Sequence, residues 1–381
     1  MDDLAVPDDN TDLDVTGDAH GLCPKAGIGT IGAPVFLSRT TGAVGWGAIE
    51  INSLSDVQIS PYAQEGDFLR HDGTSWYRCG LTDANYPSKH SMERQAIING
   101  NFDIWQRGTS LASLTDSTIT YLADHWSIFG AKDGGTPPTI AQSRQTLTPG
   151  EMDGSFYFHR VTVDGAGSGY GNGLNYEYTQ KIEHGTRYLC GNGKKVTVRF
   201  KARSSISGKK IGLYLTQNYG TGGSPSSVEH LTGTNWTLTS DWQDCEFTLT
   251  TNTLAGKTFG TSNDDYLTLH IQMAWGSTYQ DRVGATAAET WVGSGNIDIA
   301  QVQLCAGDVA LPFEPKTYAE ELEACQRYYI SMIAQTENGT RWISYPPTMR
   351  ATPTIATSVG SVANGSQNGC DLTHTDRKSV V

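Results

Sequence analysis

The chain has 381 residues, 18% charged and 37% apolar, with 43 glycines and a net charge of −13. At about 100–200 residues per domain, two or three folded units are expected, and the composition excludes a disordered, collagen-like or membrane-spanning chain. The acidic balance speaks against nucleic acid as a partner, because phosphate binding needs a basic footprint, and it repels an acidic polysaccharide unless a local basic patch intervenes.

Residues 1–45 read as an acidic, Gly-rich arm. Asp2, Asp3, Asp8, Asp9, Asp12, Asp14 and Asp18 crowd a segment with almost no apolar content. It is either a solvated tail or a segment that orders on a basic partner surface. Met1-Asp2-Asp3-Leu4 begins no signal peptide, and no apolar run reaches the ~20 residues of a membrane helix. The expected origin is a reducing cytoplasm, with exit by lysis or inside a particle. Gly27-Ile28-Gly29-Thr30-Ile31-Gly32 matches G-x-G-x-x-G but lacks a strand before it and a helix after it, so it reads as linker.

Residues 46–90 form a small β module ending in a polar linker. Ile49 and Ile51 alternate, and Phe68-Leu69-Arg70-His71, Asp72-Gly73, Thr74-Ser75-Trp76-Tyr77 predicts a hairpin with a tight primed turn. A unit of about 40 residues buries too little surface to stand alone, so it pairs with copies of itself or with another protein.

The main domain spans 91–315. Ile97-Ile98-Asn99-Gly100-Asn101-Phe102-Asp103-Ile104-Trp105-Gln106-Arg107 reads as its opening strand, and Asn296–Leu304 as its closing strand. Between them Lys195–Phe200, Ile211/Leu213/Leu215, Cys245/Phe247/Leu249 and Leu267/Leu269/Ile271/Met273 alternate with period two. Several such strands separated by polar loops predict an all-β sandwich. The apolar phase slips between Ile299 and Val302 and between Phe158 and Val161, which predicts a β-bulge in each strand.

A capped helix occupies 316–330. Thr317-x-x-Glu320 is a capping box, and Tyr318, Leu322, Cys325 and Tyr329 make one apolar stripe. It is too short to be stable alone, so it docks on the sandwich or on symmetry mates. Residues 331–381 read as a short C-terminal β segment punctuated by Pro346-Pro347 and Pro353. The seven cysteines (Cys23, Cys79, Cys190, Cys245, Cys305, Cys325, Cys370) include no Cys-x-x-Cys pair, so buried thiols are expected rather than a zinc site or a disulfide scaffold.

Leu54-Ser55-Asp56-Val57 followed by Gly66-Asp67-Phe68-Leu69-Arg70-His71-Asp72-Gly73-Thr74-Ser75-Trp76 resembles a short module of bacteriophage tail-fibre and virion-fibre proteins, which are usually trimeric. Four further pieces resemble the carbohydrate-binding-like (galactose-binding-like) jelly roll of phage tail proteins. They are Asn99–Thr109, Ala123-Asp124-His125-Trp126, Gln301-Val302-Gln303-Leu304, and Pro312-Phe313-Glu314-Pro315 running into Glu320–Tyr329. The resemblance implies a homotrimeric virion protein, tail or capsid, held to other virion proteins by its N-terminal arm and contacting host surface polysaccharide. Such jelly rolls often hold a structural calcium between their first and last strands, where Asp103 and Asp298 stand here, although two carboxylates without metal satisfy the same sequence. Residues 331–381 are shorter than the strand-rich tip of such proteins.

Sugars stack on exposed aromatic faces. The candidates are Trp275 and Tyr279 in Trp275-Gly276-Ser277-Thr278-Tyr279, Trp291 in Trp291-Val292-Gly293, and Trp236 and Tyr219 in Gly-rich surroundings. Burial or subunit contact is open to each of them. Trp105 and Trp126 lie beside the motif strands and are expected in the core. Asp264-Asp265 are adjacent and would point apart in extended chain, and no G-x-S-x-G, H-E-x-x-H or P-loop occurs. A non-enzymatic fibre subunit is expected first, a ligand-free structural adaptor second, and a polysaccharide-degrading enzyme third.

Overall fold

The computed structural model describes residues 91–331 and 347–351 in full, together with the backbone of five strands between residues 36 and 79. The chain divides into two compact units, 1–87 and 88–381.

In the first unit, β1 (Phe36–Thr40) and β2 (Ala43–Gly47) pair antiparallel. A three-stranded sheet joins β3 (Val57–Gln58), β4 (Phe68–His71) and β5 (Trp76–Cys79) in the order β3-β5-β4. The expected hairpin strands pair antiparallel, from Phe68 with Cys79 to His71 with Trp76, and the expected tight turn lies outside the described residues. The acidic arm, the Gly27–Gly32 stretch, Ile49 and Ile51 lie outside the described residues, as does nearly all of 331–381.

The second unit begins with β6 (Ser110–Leu111), β7 (Thr120–Tyr121), β8 (Ser127–Ala131), β9 (Ile140–Thr146), β10 (Tyr157–Val163) and β11 (Asn175–Glu183). After the short helix α1 (Gly185–Leu189) come β12 (Lys195–Ser204), β13 (Lys210–Asn218), β14 (Glu229–Thr237), β15 (Gln243–Thr250) and β16 (Tyr266–Trp275). A 3₁₀ turn at Gln280–Val283 precedes β17 (Gly295–Ala306), and α2 (Tyr318–Gln326) follows. The strands form two six-stranded antiparallel sheets, β15-β12-β17-β10-β9-β6 and β14-β13-β16-β11-β8-β7. The architecture is a jelly-roll β-sandwich.

Period-two alternation places one face of each strand in the core. Val196, Val198, Phe200, Ile211, Leu213, Leu215, Leu267, Leu269 and Ile271 are all fully buried between the sheets. Each such side chain contributes about 1.5–3 kcal/mol on burial. Trp126, Tyr178 and His159 stack in one column, with ring centroids 4.8 and 4.5 Å apart and planes within 3°. Trp105 and Trp126 are core residues, as expected. Cys190, Cys245, Cys305 and Cys325 are buried free thiols.

The stretch 97–107 is not a regular strand. Asn99 and Phe102 have φ of 55° and 56°, a left-handed conformation that reverses the chain. The segment nevertheless lies beside the second half of β17: Ala96 N–H donates to Leu304 O, and Val302 N–H donates to Gly100 O, both at 2.9 Å. Gly100 sits so close that a Cβ there would come within 2.1 Å of Val302 O.

The bulge in β17 is present. Arg199 pairs with Gln303 and Lys201 with Ala300, so β17 carries one extra residue, and Gln301 there has φ 51°. The bulge expected in β10 is absent; its pairing with β9 runs unbroken from Tyr157 to Val163. Phe158 lies instead on the outer side, in a small apolar cluster with Leu147, Met152, Ala300 and Trp242. That outer cover accounts for the apparent phase slip.

The capping box of α2 forms, with Thr317 Oγ1 accepting from Glu320 N–H and the Glu320 carboxylate accepting from Thr317 N–H. The expected stripe is shifted. Tyr318 is exposed, and Glu321 and Cys325 are the buried residues. Glu321 is buried because its carboxylate accepts the Asn99 N–H at 2.6 Å. A partnered carboxylate thus occupies the place where an apolar stripe was sought.

Candidate functional site

Three of the five expected sugar-stacking rings have no free face. Trp275 is fully buried, its Nε1 donating to Ala287 O, and it packs with Tyr214 and Val283 beneath the loop that follows β16. Trp291 is fully buried edge-on to Tyr176, with the Lys209 ammonium 5.6 Å from its ring. Tyr219 is buried as well; its hydroxyl donates to Glu229 and its ring meets Phe259 edge-on. Trp236 is half-buried and turned toward the core, edge-on to Phe200. Gly-rich surroundings suggested exposed loops, but these loops fold back on the sheets. Tyr279 is likewise half-buried, with the Arg282 guanidinium 4.7 Å from its ring centroid.

The two carboxylates of the expected calcium pair have different surroundings. Asp298 is buried on β17 and holds two guanidiniums: Arg160 at 2.7 and 2.8 Å and Arg203 at 2.9 Å. Arg203 also reaches Glu151, 2.8 Å away. A carboxylate already compensated by two arginines is a poor ligand for a cation. Asp103 is half-buried, and burial pushes its carboxyl up to about 6. Among the described residues no group of three or more His, Cys, Asp or Glu side chains is placed to hold a metal.

The outer face of the second sheet gathers what the sequence did not single out. Strand registers put Lys181, Thr268, Thr216 and His230 in one transverse row, and Ser127, Thr179, His270 and Tyr214 in the next. Gln272 and Glu177 follow, and Tyr266 lies at the opposite end. Although they point away from the core, Thr179, Thr216 and Thr268 are only 8%, 6% and 5% exposed. Longer side chains cover these small hydroxyl ones: His270 and the fully buried Tyr214 on one side, Lys181 and Tyr266 on the other.

One side is a hydrogen-bonded chain. Tyr214 and His270 stack at 4.1 Å with planes 9° apart. Glu177 Oε2 accepts from the Tyr214 hydroxyl at 3.0 Å and contacts His270 Nδ1 at 3.0 Å; His270 Nε2 meets Thr216 Oγ1 at 3.1 Å. Burial pushes the Glu177 carboxyl up, but His270 and the hydrogen bonds from His270, Tyr214 and Asn175 more than offset it, and the group titrates below its ordinary range. With Glu177 ionised it can only accept, so His270 Nδ1 carries the hydrogen it shares with that carboxylate. Burial and the neighbouring Glu177 raise the Tyr214 phenol, which therefore stays protonated. Arg282 closes this end, its guanidinium reaching the Tyr214 hydroxyl at 3.4 Å.

A carboxylate–imidazole–hydroxyl chain is also the skeleton of a nucleophilic triad. Here Thr216 sits in the middle of β13, whose backbone is engaged in the ladders to β14 and β16 on either side. That leaves no pair of free amides beside its Oγ1 to stabilise an oxyanion. The chain is therefore read as a device that fixes side-chain orientation. Asp264 and Asp265 point apart as expected: Asp264 takes Thr221, while Asp265 holds His184 and Arg187.

Nothing in the sequence flagged this face, because Glu177 and His270 stand 93 residues apart. The signal present was the polar half of the alternation in β11, β13 and β16, which reads as solvent-facing residues of any sandwich.

Neither protein-family models nor curated protein sequences give a match to this chain. Solved structures similar to part of it include a carbohydrate-binding module of family 4, with 17% identity over 55% of this chain and 98% of that one, at a TM-score of 0.29. A xylan-binding domain from Paenibacillus barcinonensis is 10% identical over 53% of this chain and 94% of its own, at a TM-score of 0.25. A family 11 carbohydrate-binding module from Clostridium thermocellum is 11% identical over 52% and 96%, at 0.26.

Proposed function

We propose that the sandwich is a non-catalytic glycan-binding module whose site is the outer face of the second sheet. The observation that carries this reading is the set of hydroxyls of Thr179, Thr216 and Thr268, outward-facing yet nearly closed to solvent. Hydroxyls on this outward face, with the part-exposed His270, Tyr266 and Tyr279 around them, suit a ligand made of hydroxyls and C–H faces. In the finer form of the proposal the chain is a homotrimeric bacteriophage fibre subunit. It is made in the host cytoplasm, joined to other virion proteins through its N-terminal arm, and turned toward host surface polysaccharide. The support for that form is the sequence resemblance around Leu54–Trp76 and Asn99–Arg107.

The test is a glycan array probed with the full chain and with Thr216→Val and Thr268→Val, which keep the shape and β-propensity of these positions and remove their hydroxyls. The proposal expects saccharide binding that both variants lose. Binding that both variants retain would place the site elsewhere.

A second reading, a ligand-free structural subunit of the same assembly, is favoured by the burial of Trp275 and Trp291, which removes the large rings most suited to stacking. It expects a trimer in light scattering and silence on the array.

A further inference from the structure

Resting on the glycan-binding reading, we infer that the saccharide taken by this face is acidic, carrying carboxylate or sulfate groups, with Lys181 and Arg282 as its charge-recognising residues.

The protein has 40 acidic side chains against 27 lysines and arginines, so carboxylate partners are plentiful. On the outer face of the first sheet the cations use them. Arg160 and Arg203 hold Asp298, Arg203 also holds Glu151, and Arg199 and Lys201 share Asp244. On the outer face of the second sheet, Lys181 and Arg282 have no carboxylate within ion-pairing distance among the described residues. Lys181 is exposed on β11, its ammonium 4.6 Å from the Tyr266 ring centroid. Arg282 lies 4.7 Å from the Tyr279 ring and 5.6 Å from the Tyr214 ring, and it approaches Glu177 only through the Tyr214 hydroxyl.

Each cation is thus held against an aromatic ring, with hydrogen-bonding capacity unspent. The β11 and β13 backbones that flank this part of the face are two strand spacings apart, about 10 Å. The Thr268 hydroxyl and the His270 ring, both on β16, lie between them. A sugar ring lying there would meet neutral donors and acceptors beneath it and a positive charge at either side.

Carboxylates also border the face: Asp264, whose charge reaches Tyr266, accepts from the Thr221 N–H and hydroxyl. Glu177 is committed to Tyr214 and His270, and Glu183, at the far end of β11, holds Arg327 and Arg350. The chain as a whole carries −13 and repels a polyanion at long range. Recognition of an acidic glycan therefore depends on these two contacts rather than on steering.

The experiment is an array of matched pairs read with the full chain: uronate oligosaccharides beside their methyl esters, sialylated glycans beside their asialo forms, and sulfated glycans beside their unsulfated forms. The inference expects binding confined to the charged members of the pairs. Lys181→Gln and Arg282→Gln should each weaken that binding about tenfold, the loss of one charge-assisted contact. Because Lys181 is exposed, its variant folds whatever becomes of Arg282. Neutral members bound as well as charged ones, or binding unchanged in Lys181→Gln, would overturn the inference while leaving the glycan reading intact. A folded chain that binds no member of any pair would overturn both.

Discussion

Asn99 joins four parts of this domain through its side chain and backbone: Ile104, Asp124, Trp126 and Glu321. Fully buried, it donates from Nδ2 to Ile104 O at 2.8 Å and to Asp124 O at 3.0 Å, and its Oδ1 accepts from Ile104 N–H at 3.0 Å. Its backbone reaches Glu321 through N–H and Trp126 Nε1 through O. Asn99→Ala strands three buried backbone groups, each costing about 1–3 kcal/mol. A loss of roughly 3 kcal/mol or more is expected in urea unfolding. Gly100→Ala should be worse still, since the new Cβ meets backbone rather than a movable side chain.

His159 gives the domain a pH signature. Fully enclosed, it offers Nε2 to Gln142 Oε1 and leaves Nδ1 unpartnered, and burial pushes it down to about 3. The folded state therefore refuses a proton that the unfolded chain accepts below about 6.5. Stability from this group is intact above pH 6.5 and falls as the pH drops from there toward 3, by about 1.4 kcal/mol per unit at the steepest. Asp103, raised to about 6, works in the opposite sense: its folded state holds the proton more tightly, so its contribution grows as the pH falls from 6 toward 3.8. Replacing His159 by Gln should flatten the acid limb of a stability-versus-pH curve. An unchanged limb would show that the acid sensitivity lies elsewhere.

At the scale of elements, the capping box of α2 is worth about 1 kcal/mol, so Thr317→Ala should lower stability by that amount in thermal or urea unfolding. The rings of Trp275 and Trp291 belong to the packing between strands and loops. Trp275→Ala and Trp291→Ala should each cost about 3–5 kcal/mol. Saccharide affinity lost by either variant while its unfolding midpoint is unchanged would contradict that placement.

The strands that were legible in the sequence were those whose two faces differ cleanly. β12 and β15 alternate because one side meets the core and the other is open to water, whereas β13 and β16 alternate in polarity although both their faces are covered. Where the outer cover is itself apolar the alternation misleads, as at Phe158, which packs on Trp242 outside the sandwich at 5.4 Å. The stretch 97–107 looked strand-like because it is apolar and leads into the domain. Left-handed Asn99 is held to Asp124, Trp126 and Glu321 of α2, and its neighbours Ala96 and Gly100 to β17, all of them distant in sequence. The candidate face was illegible for the same reason: it is created by register, which sets Tyr214 against His270 and Lys181 against Thr268.

For the molecule as a whole, the two sheets divide their labour. The outer face of the first is laced by arginine–carboxylate pairs around Asp298, while on that of the second Lys181 and Arg282 stand against tyrosine rings with no carboxylate in ion-pairing distance among the described residues. If the chain is a fibre subunit, light scattering of the full length should give three times its 41.2 kDa; a monomeric mass would remove the trimer from the account without touching the proposed face. The measurement that bears most directly on the central claim is saccharide binding by the full chain beside Thr216→Val and Thr268→Val. The account predicts binding in the parent and its loss in both variants with their unfolding midpoints preserved. Undiminished binding in both variants, or none in the folded parent, would contradict it.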